Sequence, residues 1–386
     1  MDNTGKILLD LFVIFSVAKV AGGVFNRLRQ PAVVGEILAG MVIGPSVLGL
    51  IGHSGFLDIF AEIGVVFLLF MVGLETDITE LLRVGKVALG VAMAGVLVPF
   101  CLGWGLMAGL HKPLVEALFV ATALVATSVG ITARVLADLG QLGSRAARVI
   151  LGAAVADDIL GMVVLAVVSG IAKGTFSLPN TALLALEAGA FTAFVIVVGR
   201  RAIKPLWARF PKMHIPQPAF AVGIALCLGL SAAASYIGLA AIIGAFLAGL
   251  VSAEAEEAAQ LRRRMEPIYD FLVPIFFIIM GSRVDVPRLI SMEVLPFGLL
   301  ITALALAGKF VGCGLAAWGL GRREAVTIGV GMAPRGEVGI VVAMVGLSRG
   351  VISVDIFSVV VMMSVLTTLV TPPLLKVLLG RREVVI

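Results

Sequence analysis

A chain of 386 residues that is 60% hydrophobic and only 14% charged lacks the charge needed to cover a water-soluble surface of that size. Its apolar runs of about twenty residues recur from end to end, each long enough to cross a ~30 Å hydrocarbon layer as a helix, whereas a transmembrane barrel would show alternating segments of about ten. The net charge of +5 does not point to nucleic acid, because the basic residues collect in the short loops between the apolar runs.

Hydropathy predicts an all-α polytopic membrane protein of thirteen helices. The first, 6–26, contains Lys19 and precedes no small-residue cleavage site, so it reads as a span and not as a removable signal. The second, 31–50, carries Glu36 near its start; Lys19 and Glu36 are both read as structural. The third, 57–75, ends beside Glu75 and Asp77, which are read as solvated, and the fourth is 84–108. The fifth, 114–137, holds ATSVGIT (126–132), with Thr127, Ser128 and Gly130 in mid-span. The sixth, 146–171, holds Asp157 and Asp158 side by side, with no other charge between Arg148 and Lys173. The seventh, eighth, ninth and tenth are 180–204, 217–236, 238–253 and 266–282, the eighth and ninth being divided only by Tyr236-Ile237-Gly238. The eleventh, 295–318, has Lys309 at its centre. The twelfth, 324–348, holds APRGEVG (333–339), and the thirteenth is 353–379. Cys101, Cys227 and Cys313 fall in spans at unrelated spacings, which fits neither a disulfide framework nor a zinc site.

The loops support this count. Alternate loops carry 20 Lys and Arg residues against 6 in the other set. The positive-inside rule then places the N-terminus outside and the C-terminus in the cytoplasm, and the cytoplasmic (inner) membrane is the expected location.

The chain also repeats itself. VVGEILAGMV (33–42) matches IIGAFLAGLV (242–251) at an offset of 209; FLLFMVGLETD (67–77) matches IFFIIMGSRVD (275–285) at 208; SVGI (128–131) matches EVGI (337–340) at 209. Two six-helix halves joined by the seventh helix follow. Corresponding helices lie seven spans apart, an odd number, so the halves are expected to be inverted, the sequence signature of secondary transporters.

The third match falls on helix-weakening residues. Pro334 removes a donor, glycines loosen the helix, and both spans are expected to unwind near the midplane, where broken backbone is tolerated only in a cavity or buried in protein. The opposed half-helix ends bring partial charges of both signs, which Arg335 and Glu337 are suited to neutralise as a structural pair. A buried carboxylate costs about 2.5 kcal/mol or more on insertion scales, so two of them argue for function. By the offset their counterparts are Leu366 and Thr367, which confines the carboxylates to one half. Lys309 needs a carboxylate partner, and an aspartate of the sixth helix is the natural one; a purely structural ion pair is the alternative. Carboxylates, hydroxyls and freed carbonyls are hard ligands for a small cation, so Asp158 with Thr127 and Ser128 suits Na⁺ or Li⁺. The same aspartates take protons, and competition between cation and proton for one site suffices for exchange.

The stretches QPAVVGEILAGMVIGPSVLGL (30–50), FLLFMVGLE (67–75), ATSVGITARVL (126–136), ILGAAVADDILG (150–161), MAPRGEVG (332–339) and Lys309 resemble the cation:proton antiporter-2 family, and within it the bacterial NapA-type sodium/proton antiporters. The resemblance covers essentially the whole chain. It implies an NhaA/NapA-like antiporter fold and a homodimer. The dimer domain would be 1–79 with 214–290, the ion-transport core 80–174 with 291–386, and the linker helix 175–213. It also implies that Asp158 binds the ion, that Asp157 pairs with Lys309, that Thr127 and Ser128 lie at the crossing, and that exchange is electrogenic, the core moving against the dimer domain. Related potassium-efflux proteins change the first aspartate and append a nucleotide-binding domain. Here Asp157 is kept and no GxGxxG follows the last span, which favours sodium.

The expected function is therefore Na⁺(Li⁺)/H⁺ antiport, with no enzymatic activity and no cofactor. K⁺/H⁺ exchange on the same scaffold and sodium-coupled symport of an organic anion remain as alternatives.

Overall fold

Among the described residues, seventeen α-helices and one short 3-10 turn account for the architecture, and no strand occurs. The computed structural model describes residues 3–28, 30–52, 54–173, 177–209, 217–255, 257–348 and 350–380. Arg29, Lys212, Arg349, Arg381 and Arg382 lie outside these, as do the expected domain boundaries at 174 and 213.

The thirteen expected spans are present as α1 (Asn3–Arg27), α2 (Ala32–Ile43), α3 (Gly55–Leu74), α5 (Gly85–Gly109), the pair α6 (Leu114–Val125) and α7 (Val129–Asp138), α8 (Arg145–Lys173), α9 (Leu178–Arg209), α10 (Pro218–Tyr236), α11 (Ala241–Ser252), α12 (Ala258–Ser282), α14 (Leu295–Ala316), the pair α15 (Arg322–Gly331) and α16 (Glu337–Ser348), and α17 (Val354–Leu379). Ten stretches, counting α6 and α7 as one, are long and apolar enough to cross a membrane; α2 and α11 are apolar helices of 12 residues each.

Two spans differ most from expectation. The second stops at Ile43 instead of residue 50. Gly44 and Pro45 turn the chain, and the N–H groups of Leu48, Leu50 and Ile51 fold back onto the carbonyls of Val42 and Ile43. The tenth starts at Ala258, eight residues before the expected 266, because the charged stretch LRRRMEP continues the helix beyond the apolar part. Two short helices, α4 (Ile78–Arg83) and α13 (Val286–Leu289), were not expected. Asp77 accepts from the N–H groups of Thr79 and Glu80, and Asp285 from that of Arg288. These caps start each turn, and the two aspartates stand 208 apart, at the offset of the repeat.

The repeat is visible as an exchange of contacts. A Cβ on Gly40 would overlap the carbonyl oxygen of Ile278, and one on Gly249 would overlap that of Phe70. Likewise Gly281 abuts the carbonyl of Ile37, and Gly73 that of Phe246. Each glycine and each carbonyl maps onto its counterpart at 208 or 209. Thus α2 crosses α12 as α11 crosses α3, backbone against backbone, at points where no side chain fits.

Helices α1, α2, α3, α10, α11 and α12 pack mainly on one another, and α5 to α8 pack with α14 to α17. The two groups meet chiefly through α7 against α3 and α2, and α17 against α2. Ion pairs between loops stay within one charge set. Arg148 reaches Glu80, Arg145 reaches Glu324, Arg200 reaches Glu254 and Arg262 reaches Glu75 on the arginine-rich face; Arg283 with Asp58 and Arg288 with Asp355 lie on the other.

Candidate functional site

Both expected helix breaks are present, and they are built against each other. Residues 126–128 separate α6 from α7, and 332–336 separate α15 from α16. The Ser128 N–H donates to Pro334 O at 2.9 Å, and the hydroxyls of Thr127 and Thr132 donate to Met332 O and Gly331 O at 3.4 and 2.6 Å. In return Arg335, with no exposed surface, sends Nη1 to Ala126 O at 3.0 Å and to Val125 O at 3.4 Å. A guanidinium at the C-terminal end of α6 satisfies carbonyls that have no intrahelical partner and meets the negative end of the helix dipole. Helix α17 holds the second break. Arg335 N–H donates to Thr367 Oγ1 at 3.0 Å, and Thr368 Oγ1 donates to Arg335 O at 2.7 Å. The Glu337 backbone opens α16; its side chain lies outside the described residues.

The two aspartates of α8 face different neighbours. Asp157, 1% exposed, accepts from Lys309 Nζ at 2.7 Å, and Lys309 itself is fully buried on α14. Among the described residues, Asp157 Oδ2 has no hydrogen-bond partner. Asp158 is partly buried and borders the other helix group: with Leu69 of α3, Val129 of α7 and Ile242, Ile243 and Phe246 of α11 it encloses a void of about 10 Å³. Neighbours on a helix point about 100° apart, which places one carboxylate inside its own helix group and the other at the boundary between groups.

Both carboxylates line a further cavity of about 60 Å³, bordered by Ala126 at the break, Thr122 of α6, Ala240, and Val338 and Val342 of α16. That space holds one or two water-sized ligands, the scale of a partly hydrated monovalent ion. A larger cavity of about 480 Å³ opens on the arginine-poor face between the helix groups. It runs from Asp58, Glu62 and Arg283 to Arg335, Ser364 and Thr368. On the arginine-rich face a smaller cavity of about 220 Å³ lies between the groups, and the Arg134 guanidinium of α7 that lines it lies 5.1 Å from the Tyr269 ring centre of α12 and donates to Asp138 at 3.1 Å.

The structure thus joins Asp157 to Lys309, places both aspartates in one cavity with the break, and turns the Thr127 hydroxyl onto the opposite broken segment. Sequence reasoning did not single out Thr122, Thr132 or Thr368, nor use Thr367 beyond its place in the repeat. Their signal was present as hydroxyls in apolar spans, but such hydroxyls usually bond back to their own helix, as Thr122 Oγ1 does to Leu118 O at 2.7 Å. Glu75 and Asp77 both lie at helix ends, but only Asp77 is solvated as expected; Glu75 is partly buried and paired with Arg262, and burial raises its carboxyl above its ordinary range against the lowering by Arg262.

Residues 12–380 match the family described as sodium/hydrogen exchanger, transmembrane. The high-affinity Na⁺/H⁺ antiporter NhaS3 of Synechocystis is 36% identical over 96% of this chain and 89% of its own length. The Na⁺/H⁺-K⁺ antiporter GerN of Bacillus cereus is 34% identical over 98% of this chain and 97% of its own. Among solved structures, the sodium proton antiporter MjNhaP1 of Methanocaldococcus jannaschii superposes with a TM-score of 0.70 over 97% of both chains at 16% identity, a likeness of fold.

Proposed function

Because the chain belongs to the sodium/hydrogen exchanger family, we propose that it is a secondary active Na⁺(Li⁺)/H⁺ antiporter in which cation and protons compete for Asp158 and Asp157. The observation that carries this reading is the pair of carboxylates lining one small cavity at a broken-helix crossing, one of them held by a buried lysine. Asp158 takes the cation or a proton. Asp157 answers to Lys309, pairing with it when no cation is bound. Thr127, Ser128 and Arg335 keep the two broken segments in register.

In this reading α5 to α8 and α14 to α17 form the transport core, and α1 to α3 with α10 to α12 form the dimer domain, linked by α9. The position of Asp158 at the boundary between these groups supports alternating access by movement of one against the other. The halves are inverted repeats, which the exchanged glycine crossings support. The protein is a transporter and not an enzyme, works as a homodimer in the inner membrane, and has its arginine-rich face in the cytoplasm. K⁺ is a second substrate to test, since GerN is named for potassium as well as sodium.

The test is dissipation of a preformed proton gradient in everted vesicles on addition of NaCl, LiCl or KCl. Dissipation by Na⁺ and Li⁺ is expected; response to none of the three would refute antiport.

A further inference from the structure

Helices α14, α15 and α17 leave a groove of about 410 Å³ between them, within the range of about 300–1,000 Å³ typical of sites for small organic ligands. Its walls are apolar, and small residues make the room: Ala307 of α14, Ala333 in the second break and Thr371 of α17, whose hydroxyl is turned back onto Thr367 O at 2.8 Å. The groove runs beside α15 from Leu378, at the arginine-rich face, to Ala333. Helix α15 has 10 residues, so this path is about 15 Å long, half of a hydrocarbon core. Val377 lines the groove and is 81% exposed, so the opening faces sideways into one leaflet.

The arginine-rich end of the groove is cationic. Arg323 sends Nε and Nη2 to Leu378 O at 3.3 and 3.0 Å, which fixes the guanidinium where α17 ends and the groove begins. Arg322 stands one turn before Val326, on the face of α15 that lines the groove. Both arginines are exposed. The acid beside them, Glu324, lies 3.9 Å from Arg145 of α8. Trp318, exposed on the turn that precedes α15, marks the level of the lipid headgroups, where tryptophan collects.

We propose that this groove binds one anionic phospholipid, with an acyl chain along Ala307 and Ala333 and the phosphate at Arg322 and Arg323. Basic clusters at the ends of spanning helices attract anionic headgroups. Inside a bilayer the chain gains packing contacts and no burial from water, so the headgroup supplies the selectivity and the groove supplies the place. A zwitterionic lipid brings its own cation to the two arginines. A free phosphate leaves the groove unfilled. The chain would end behind the segment in which Thr367 and Thr368 hold the Arg335 backbone, so the bound lipid stabilises the second break from the membrane side.

The test uses the full chain, delipidated in detergent, and follows its thermal midpoint during titration with phosphatidylglycerol, with phosphatidylcholine of the same chains, and with glycerol 3-phosphate, which carries the phosphate without chains. Each shift is taken from that variant's own midpoint without lipid. Phosphatidylglycerol should raise the wild-type midpoint at a concentration roughly tenfold below that needed for phosphatidylcholine, and glycerol 3-phosphate should not move it. Arg322→Gln with Arg323→Gln should remove the preference between the lipids. Ala307→Trp, which fills the groove, should remove it too, whereas Ala303→Trp, at an exposed position of the same helix outside the groove, should keep it. If Ala307→Trp does not fold, Ala307→Leu should reduce the preference. Equal response of wild type to both lipids overturns the proposal. So does a preference kept by the arginine variant or by the Ala307 variant, which would place the anionic lipid elsewhere, and so does its loss in Ala303→Trp. A full response to glycerol 3-phosphate would assign the arginines to phosphate and overturn the lipid.

Discussion

Arg335 and Ala126 stand on opposite halves of the chain, 209 residues apart, and the guanidinium of one lies 3.0 Å from the carbonyl oxygen of the other. One broken helix thus supplies the cap of the other. Substitution to alanine would leave the end carbonyls of α6 without their donor in a buried crossing, at about 1–3 kcal/mol for each group left unsatisfied. Arg335→Ala is expected to lower the thermal midpoint in detergent more than any other single change at the crossing. Arg335→Lys is expected to fall between it and wild type, since an ammonium restores the charge but not the forked geometry. Equal stability of all three would remove the capping role.

Lys309 and Asp157 form an ion pair with neither partner exposed. Removing one member of such a pair costs about 3–5 kcal/mol because the other charge stays buried and unpaired. Lys309→Ala is expected to be strongly destabilised, and Lys309→Ala with Asp157→Asn less so than Lys309→Ala alone. Thermal unfolding of the four members of this cycle gives the coupling directly; additive losses would show that the two residues do not act as a pair.

Glu75 gives a pH prediction outside the membrane. Burial raises its carboxyl above the ordinary value of 4.5, more than Arg262 at 2.7 Å lowers it. The folded state therefore favours the protonated form. The stability this contributes is fully present below the ordinary value and is lost as pH rises through the raised one. The thermal midpoint of wild type minus that of Glu75→Gln should fall as pH rises through this range. A difference that rises with pH would mean that the Arg262 pairing outweighs burial.

Much of this architecture is legible in the sequence because membrane spanning leaves long signals. The apolar runs, the alternation of loop arginines and the three repeat matches each survive misplacement of a helix end by several residues. The end of α2 was not legible, because Gly44-Pro45 sits in a run still apolar through Leu50. Nor were α4 and α13, whose whole length is set by one capping aspartate each. At the site, Asp157, Asp158 and Lys309 stand out because a charge in hydrocarbon is expensive. That Asp157 rather than Asp158 meets Lys309 came only from the family resemblance, since adjacency on a helix separates the two side chains without saying which faces α14. Thr368 acts through what it reaches across the fold, the Arg335 carbonyl, and the residue type alone does not carry that.

The central claim is competition between cation and proton at Asp158. Its most direct test is the apparent KM for Na⁺ in proteoliposomes over a pH series, with Asp158→Asn beside it. One competing proton raises the KM by about tenfold per pH unit on the acid side of the titration, with an unchanged maximal rate, because each ligand weakens the other by the same factor. The account predicts that rise in wild type and no exchange in a folded Asp158→Asn protein. A KM that does not change with pH, or transport retained without the Asp158 carboxylate, would contradict it.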